Sequence, residues 1–222
     1  FKSGFISILG RTNVGKSTLL NNLIGEKVAI TANKPQTTRT AIRAIVNREN
    51  AQIIFVDTPG IHKPKTKLGE TMVDTAFSSI GDVDVVLFLI EATSTDIGKG
   101  DRMILDKIKA SGKKAILIIN KIDLIEKEKL LDIITLYSKE YNFSAVIPLA
   151  ATDSKYANTV LDEIEKLLKH GPRYYEEDEY TDQTMRQIAE EIIREKALRL
   201  LDEEVPHGIY VEVDKFAYRE TT

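Results

Sequence analysis

The stretch Gly4-Phe5-Ile6-Ser7-Ile8-Leu9-Gly10-Arg11-Thr12-Asn13-Val14-Gly15-Lys16-Ser17-Thr18-Leu19-Leu20-Asn21-Asn22-Leu23-Ile24 decides the fold. Residues 5–9 form a short, mostly apolar run, the pattern of a buried strand. Residues 16–24 read as a helix, and between the two lies Gly10-x-x-x-x-Gly15-Lys16-Ser17, the pattern of a phosphate-binding loop. The residue types follow from the chemistry. Glycine lets the backbone turn tightly and aim successive N–H groups at phosphate oxygens. Lys16 sets a cation on the β- and γ-phosphates, and Ser17 offers a hydroxyl to Mg2+. The N-terminal end of the helix turns its partial positive charge toward the same anion. Gly10, Arg11, Thr12, Asn13, Val14, Gly15, Lys16, Ser17 and Thr18 are therefore the first part of an expected nucleotide site.

Working outward, residues 31–39 are polar and turn-prone, without strand or helix periodicity. Residues 40–46 and 52–56 read as two strands joined by the turn Asn47-Arg48-Glu49-Asn50. Asp57-Thr58-Pro59-Gly60 ends the second of these, since Pro59 and Gly60 do not continue a ladder. A basic loop at 61–67 and a helix over 68–79 follow. Residues 85–90, 115–119 and 145–149 are continuous apolar runs, the signature of strands covered on both faces. Helical patterns lie between them at 101–110 and 127–137, and a last helix shows Val160, Leu161, Ile164, Leu167 and Leu168 on one face. Strands alternating with helices predict an α/β fold: a mainly parallel, six-stranded sheet with helices on both sides. Ligands of such sheets sit beyond the carboxyl ends of the strands, so the loops after Leu9, Val56, Ile119 and Leu149 should converge.

The chain of 222 residues is 42% hydrophobic and 29% charged, the composition of a globular protein with an ample core. Its formal charge of −3 is unevenly spread. Residues 172–222 hold 7 Lys/Arg against 14 Asp/Glu, whereas residues 1–171 hold 24 against 20. A nucleic-acid footprint belongs on the first part. Cysteine is absent, which excludes disulfides, thiolate metal sites and cysteine nucleophiles and fits a reducing compartment. The apolar runs are too short to span a bilayer, and no signal peptide is visible, so the reading is cytoplasmic. His62, His170 and His207 suggest no metal site.

Three further boxes follow the phosphate loop in order: Thr37-Thr38, Asp57-x-x-Gly60 and Asn120-Lys121-Ile122-Asp123. The last decides the base. A carboxylate accepts two hydrogen bonds, matching the ring N–H and exocyclic amine of guanine, and adenine offers no such pair.

This set resembles the translation-factor-like P-loop GTPases over residues 2–171. The resemblance implies that Lys16 holds the β- and γ-phosphates, that Ser17, Asp57 and Thr38 organise Mg2+, and that Thr38 and Gly60 close over the γ-phosphate. Lys16, Thr38 and Gly60 are the catalytic expectation. Thr58, Pro59 and Ile61 line the γ-phosphate loop. Asp123 reads guanine, Lys121 packs along it with Ile122 beside it, and Asn120 ties the loops together. The fifth box usually reads Ser-Ala; here Ala150-Ala151 stands in its place, leaving the backbone N–H of Ala151 for the base. Asn13 resembles the asparagine that binds a monovalent cation, K+, in related GTPases. Ile61 stands where Ras-like GTPases carry a water-orienting glutamine, which implies slow hydrolysis without an activating ion or partner.

Lys34-Pro35-Gln36-Thr37-Thr38-Arg39, Asp57-Thr58-Pro59-Gly60-Ile61-His62-Lys63-Pro64-Lys65, Gly98-Lys99-Gly100-Asp101 and the segment 181–201 resemble the bacterial Era GTPases more narrowly. In that family the helix containing Ala189-Glu190-Glu191-Ile192-Ile193-Arg194-Glu195-Lys196 opens an RNA-binding KH domain. The implied domains are a GTP-binding domain at 1–171, a linker at 172–180, and the start of a KH-type domain at 181–222, with Thr181 as N-cap of a helix to about Leu201 and a strand at 209–213. The implied activity is GTP hydrolysis in small ribosomal subunit maturation. Its implied partners are GTP, GDP, small-subunit rRNA and the subunit itself, with peripheral association at the inner face of the cell membrane as an option. Two departures stand out. Thr12 occupies a position where the family commonly has proline. None of the 12 glycines forms the Gly-x-x-Gly loop with which a KH domain clamps RNA, so the tail reads as an incomplete KH domain or a plain helical extension. Lys34, Arg39, Arg43, Lys63, Lys65 and Lys67 are candidate RNA-phosphate contacts or a solvated charge run. The alternatives are a GTP-regulated RNA-binding scaffold with incidental hydrolysis, or a tRNA-modification GTPase.

Overall fold

In the computed structural model, the described residues are 1–29, 42–57, 60–61, 73–74, 76–200 and 209–215. Strands β1 (Lys2–Gly10), β2 (Ile42–Asn47), β3 (Ala51–Asp57), β4 (Val85–Glu91), β5 (Lys114–Asn120) and β6 (Ala145–Pro148) form one sheet in the order β2-β3-β1-β4-β5-β6. All neighbours are parallel except β2, which runs antiparallel to β3 through the expected turn. A two-residue β7 (Lys169–His170) adds a seventh, antiparallel strand against Lys2 and Ser3, where β1 extends past its β4 pairing, which begins at Ile6.

The helices whose limits fall among the described residues are α1 (Lys16–Ile24), α2 (Lys99–Ser111), α3 (Lys127–Ser138), α4 (Ala157–Leu167) and α5 (Met185–Leu200), and residues 73–74 and 76–78, within the helix expected at 68–79, are helical as well. Continuous apolar strands are explained by the two cores, one on each face. Ile6, Ile8, Leu87 and Ile116 pack with Leu20 and Leu23 of α1 and Val160 and Ile164 of α4. The alternate residues Leu9, Phe88 and Leu117 pack with Ile104 and Ile108 of α2 and Ile133 of α3. Successive strand residues point to opposite faces, so both sets must be apolar.

β1 has β3 on one side and β4 on the other, so the chain turns opposite ways after it. That makes the end of β1 the topological switch point, where such sheets bind ligands. The loop after Gly10 sits there. The β2–β3 register sets Ile42 opposite Asp57, so β2 begins at the same end of the sheet.

The tail differs from the sequence reading in three places. Its helix starts at Met185, not after Thr181. Thr181 Oγ1 donates to the Arg43 carbonyl (2.9 Å) and accepts from Gln183 N–H (3.2 Å) in a local turn, and the Thr181 backbone bridges to Ala44 of β2, so it is committed to the sheet edge rather than to a helix. Thr184 caps instead: its Oγ1 accepts from Gln187 N–H (3.3 Å) while Gln187 Oε1 accepts from Thr184 N–H (2.8 Å), a reciprocal capping box. The expected strand at 209–213 is not a strand; Val213 N–H donates instead to Glu190 Oε1 of α5 (3.0 Å).

The expected linker is docked. Buried Gln52 donates to the Tyr175 carbonyl (2.8 Å) and accepts from the N–H groups of Tyr174 (2.7 Å) and Tyr175 (3.0 Å). Asn47 donates to the Glu176, Glu177 and Glu179 carbonyls. Ile45 N–H donates to the Tyr180 carbonyl (2.9 Å), and Phe5 and Tyr174 rings meet at 5.2 Å. Among the described residues no helix is long and apolar enough to cross a membrane.

Candidate nucleotide-binding site

The structure brings the phosphate loop, Asp57, Gly60, Asn120 and Ala151 to one end of the sheet, because β1, β3, β5 and β6 are parallel and all end there. The loop between Gly10 and Lys16 is held in a shape that ordinary residues resist: Asn13 has φ 63° and Gly15 φ 102°. Asparagine tolerates that region, and it stands exposed at the loop tip. A side chain at Gly15 is excluded twice, by its φ and by Asn120 Nδ2, which would lie 2.3 Å from a Cβ.

Lys16 is buried, its Nζ donating to the carbonyls of Arg11 (3.0 Å) and Gly10 (3.3 Å). Burial lowers its pKa to about 8, partly offset by the charge of Asp57. Asp57 is fully buried, and Ser17 Oγ donates to its Oδ2 at 3.4 Å. The Gly60 backbone lies against the phosphate loop: a Cβ there would come 2.9 Å from Thr12 Cα and 3.1 Å from Lys16 Nζ. Ile61 N–H donates to the Gly10 carbonyl (3.0 Å), and its side chain is fully buried in the core. At Ile61 only the backbone reaches the site.

Arg11 points away from the phosphate position. Its Nε lies 3.0 Å from the carboxylate of Asp101 at the start of α2, and its Nη2 donates to Ser94 Oγ at 3.1 Å. Burial raises the Asp101 pKa against the pull of Arg11. Gly100 leaves room for this contact, since a Cβ there would stand 2.9 Å from Arg11 Cδ. The run Gly98-Lys99-Gly100-Asp101 thus anchors the phosphate loop from behind, a role the sequence did not show.

The base end is organised by Asn120, at the end of β5. Its Nδ2 donates to the Val14 carbonyl (2.7 Å), and its Oδ1 accepts from the N–H groups of Lys121 and Ala151 (both 2.8 Å). The Ala151 N–H, expected to meet the base, is therefore given to Asn120. Lys121 has φ 63°, the left-handed region that costs a non-glycine residue about 1–3 kcal/mol. Its Nζ pairs with Glu91 at 2.9 Å. Burial works to raise the Glu91 pKa, but hydrogen bonds from Lys121 and Thr93 outweigh it and hold it below the usual value. Ile122 and Asp123 lie on a short 3-10 turn (Ile122–Leu124), with Asp123 exposed at the rim. Asn22 of α1 donates to the Ala151 carbonyl, a contact no motif announced.

Lys34, Thr37, Thr38, Arg39, Thr58, Pro59, His62, Lys63, Lys65 and Lys67 lie outside the described residues. Arg43 is described. Its backbone carbonyl accepts from Thr181 Oγ1, and its Nη1 donates to Tyr175 Oη at 3.4 Å, so its contacts are with the tail. Among the described residues no group of three or more His, Asp or Glu could hold a metal ion.

Residues 5–121 match a family model described as "50S ribosome-binding GTPase". Over 99% of its length the chain is 50% identical to GTPase Era of Caldanaerobacter subterraneus subsp. tengcongensis and 51% identical to GTPase Era of Ruminiclostridium cellulolyticum, spanning 74% of each. Among solved structures it is similar to Era in complex with MgGDPNP and nucleotides 1506–1542 of 16S ribosomal RNA (TM-score 0.87, 42% identity, 93% of this chain and 70% of that one). An Aquifex aeolicus Era variant bound to GDP and AlF4− is similar with the same TM-score and coverage at 40% identity. With identities of this order along nearly the whole chain, and with its phosphate loop and Asn120 loop in place, the chain belongs to the Era family of GTPases.

Proposed function

We propose that this chain is a GTP/GDP switch that acts in small-subunit rRNA maturation. Residues 1–171 are its nucleotide domain, 172–180 the connector and 181–222 the start of a KH-type RNA-binding domain. The observation that carries the reading is the likeness to the rRNA-bound Era structure, whose 93% coverage reaches well past residue 171 into the tail.

In this reading Lys16 binds the β- and γ-phosphates, the N–H groups of residues 10–18 cradle them, and Asp123 reads guanine. Ser17 and Asp57 fit Mg2+: both are hard oxygen donors, they lie 3.4 Å apart, and Mg2+ takes few protein ligands beside phosphates and water. The bound ion would neutralise developing phosphate charge. Thr38 and the Gly60 N–H meet the γ-phosphate, which only GTP has, so they report which nucleotide is present. Asn13 is the donor assigned to K+. Buried Ile61 cannot orient water, which favours slow unassisted turnover and gives weight to the scaffold reading, in which hydrolysis is incidental.

RNA phosphates would be met by residues 1–171, with their excess of cations. The test is GTP turnover with and without small-subunit rRNA and K+. A rise of tenfold or more supports a partner-activated switch; turnover that neither changes favours the scaffold.

A further inference from the structure

The two asparagines at the end of α1 have different work. Asn21 closes the turn after its own helix: its Oδ1 accepts from the Val28 and Ala29 N–H groups, and its Nδ2 donates to the Ala29 carbonyl. Asn22 faces the site, where its Nδ2 donates to the Ala151 carbonyl. The Ala151 N–H donates to Asn120 Oδ1. Both backbone groups of Ala151 are thus held, one from β5 and one from α1.

Position 150 is alanine, so no hydroxyl stands where the fifth box usually carries serine. α1, by contrast, is fixed in the core by Leu19, Leu20 and Leu23, each less than 5% exposed. Its first turn carries Lys16 and Ser17, and Asn22 lies six residues, about 9 Å, further along the same helix.

We propose that Asn22 is a positioning residue for the base loop. Through the Ala151 carbonyl it ties Ala150-Ala151 to the helix that presents the phosphate-binding residues, and so replaces the fastening a serine at position 150 would give. The proposal rests on the guanine-nucleotide reading of the site. A loop held in place before the base arrives selects by fixed geometry and loses less freedom on binding.

The experiment compares wild type, Asn22→Ala and Asn22→Ala/Ala150→Ser in saturating Mg2+. It reads the dissociation rate of a fluorescent GDP analogue and the ratio of GDP to ADP affinity. Asn22→Ala is expected to release GDP about 3- to 10-fold faster, the worth of one hydrogen bond, and to lose GDP-over-ADP preference by a similar factor. The double variant should recover most of both losses. A wild-type release rate in Asn22→Ala, equal weakening toward GDP and ADP, or no recovery in the double variant would overturn the role of Asn22. A wild type that binds ADP as well as GDP would overturn the nucleotide reading beneath it.

Discussion

Asn120 and Val14 are joined by a 2.7 Å hydrogen bond from side chain to backbone, so the loop assigned to the base and the loop assigned to the phosphates cannot move apart. The same side chain holds the N–H groups of Lys121 and Ala151 and is 2% exposed. Asn120→Ala would leave three backbone groups short of a partner, each worth about 1–3 kcal/mol if water does not replace it. The expected result is a melting temperature lower by about 5–15 °C and guanine nucleotide affinity reduced by about 100-fold or more. Loss of affinity at unchanged stability would show that Asn120 contacts ligand rather than tying the loops.

Asp123 carries the base assignment. Asp123→Asn removes an acceptor and turns a donor toward the exocyclic amine of guanine, so GTP affinity should fall by about two orders of magnitude. Xanthine has a carbonyl at that position and should then be preferred. Competition between GTP and XTP decides it.

Lys16 makes nucleotide binding sensitive to pH in a defined direction. Its folded pKa of about 8 lies below the ordinary 10.5, because burial disfavours the charged form. Between those values the unfolded chain binds more protons than the folded one, so the stability of the nucleotide-free protein should rise with pH across that window. Phosphates favour the charged amine. Affinity for GDP should therefore weaken as pH rises through about 8, approaching tenfold per pH unit, and binding at pH 8.5 should take up protons. Calorimetry in two buffers of different ionisation enthalpy measures that uptake, and none at pH 8.5 would contradict the environment described for Lys16.

Gln52 is where the tail is fastened. It joins the backbone of Tyr174 and Tyr175 to β3 and also donates to Asn47 Oδ1 at 2.7 Å. Gln52→Ala should cost about 2–3 kcal/mol and open residues 174–180 to proteolysis. Guanine nucleotide affinity should stay within about twofold, since Gln52 lies at the start of β3 and the site at its end.

The sheet, and the convergence of the phosphate loop, Asp57 and the Asn120 loop at one end of it, were legible because their signals are local. Apolar runs too long to alternate mark strands covered on both faces, and the glycine, lysine and serine spacing of the phosphate loop needs no distant partner. What escaped depends on chain segments that meet only in three dimensions. Nothing beside Gln52 says that its amide will serve a segment 122 residues away. Thr181 reads as the helix cap until its pairing with Ala44 of β2 holds it at the sheet edge, and Thr184 takes the cap. Asp101 reads as an ordinary helix-start carboxylate until Arg11 reaches it, and Asn22 looks like one more polar position on α1. Ile61 is the converse: its place among the motif residues pointed to the ligand, while its side chain went to the core.

The central claim is that the nucleotide decides partner choice, through Thr38 and Gly60. It is tested most directly by the affinity of the protein for an RNA of nucleotides 1506–1542 of 16S ribosomal RNA, the stretch bound in the solved Era complex, measured with a non-hydrolysable GTP analogue and with GDP. The wild type is expected to bind at least tenfold more tightly with the GTP analogue. Both affinities should fall steeply with salt as cations displace counterions from phosphates. Thr38→Ala should keep both nucleotides and lose the difference between them. Equal RNA affinities for the two nucleotides in the wild type would contradict the account.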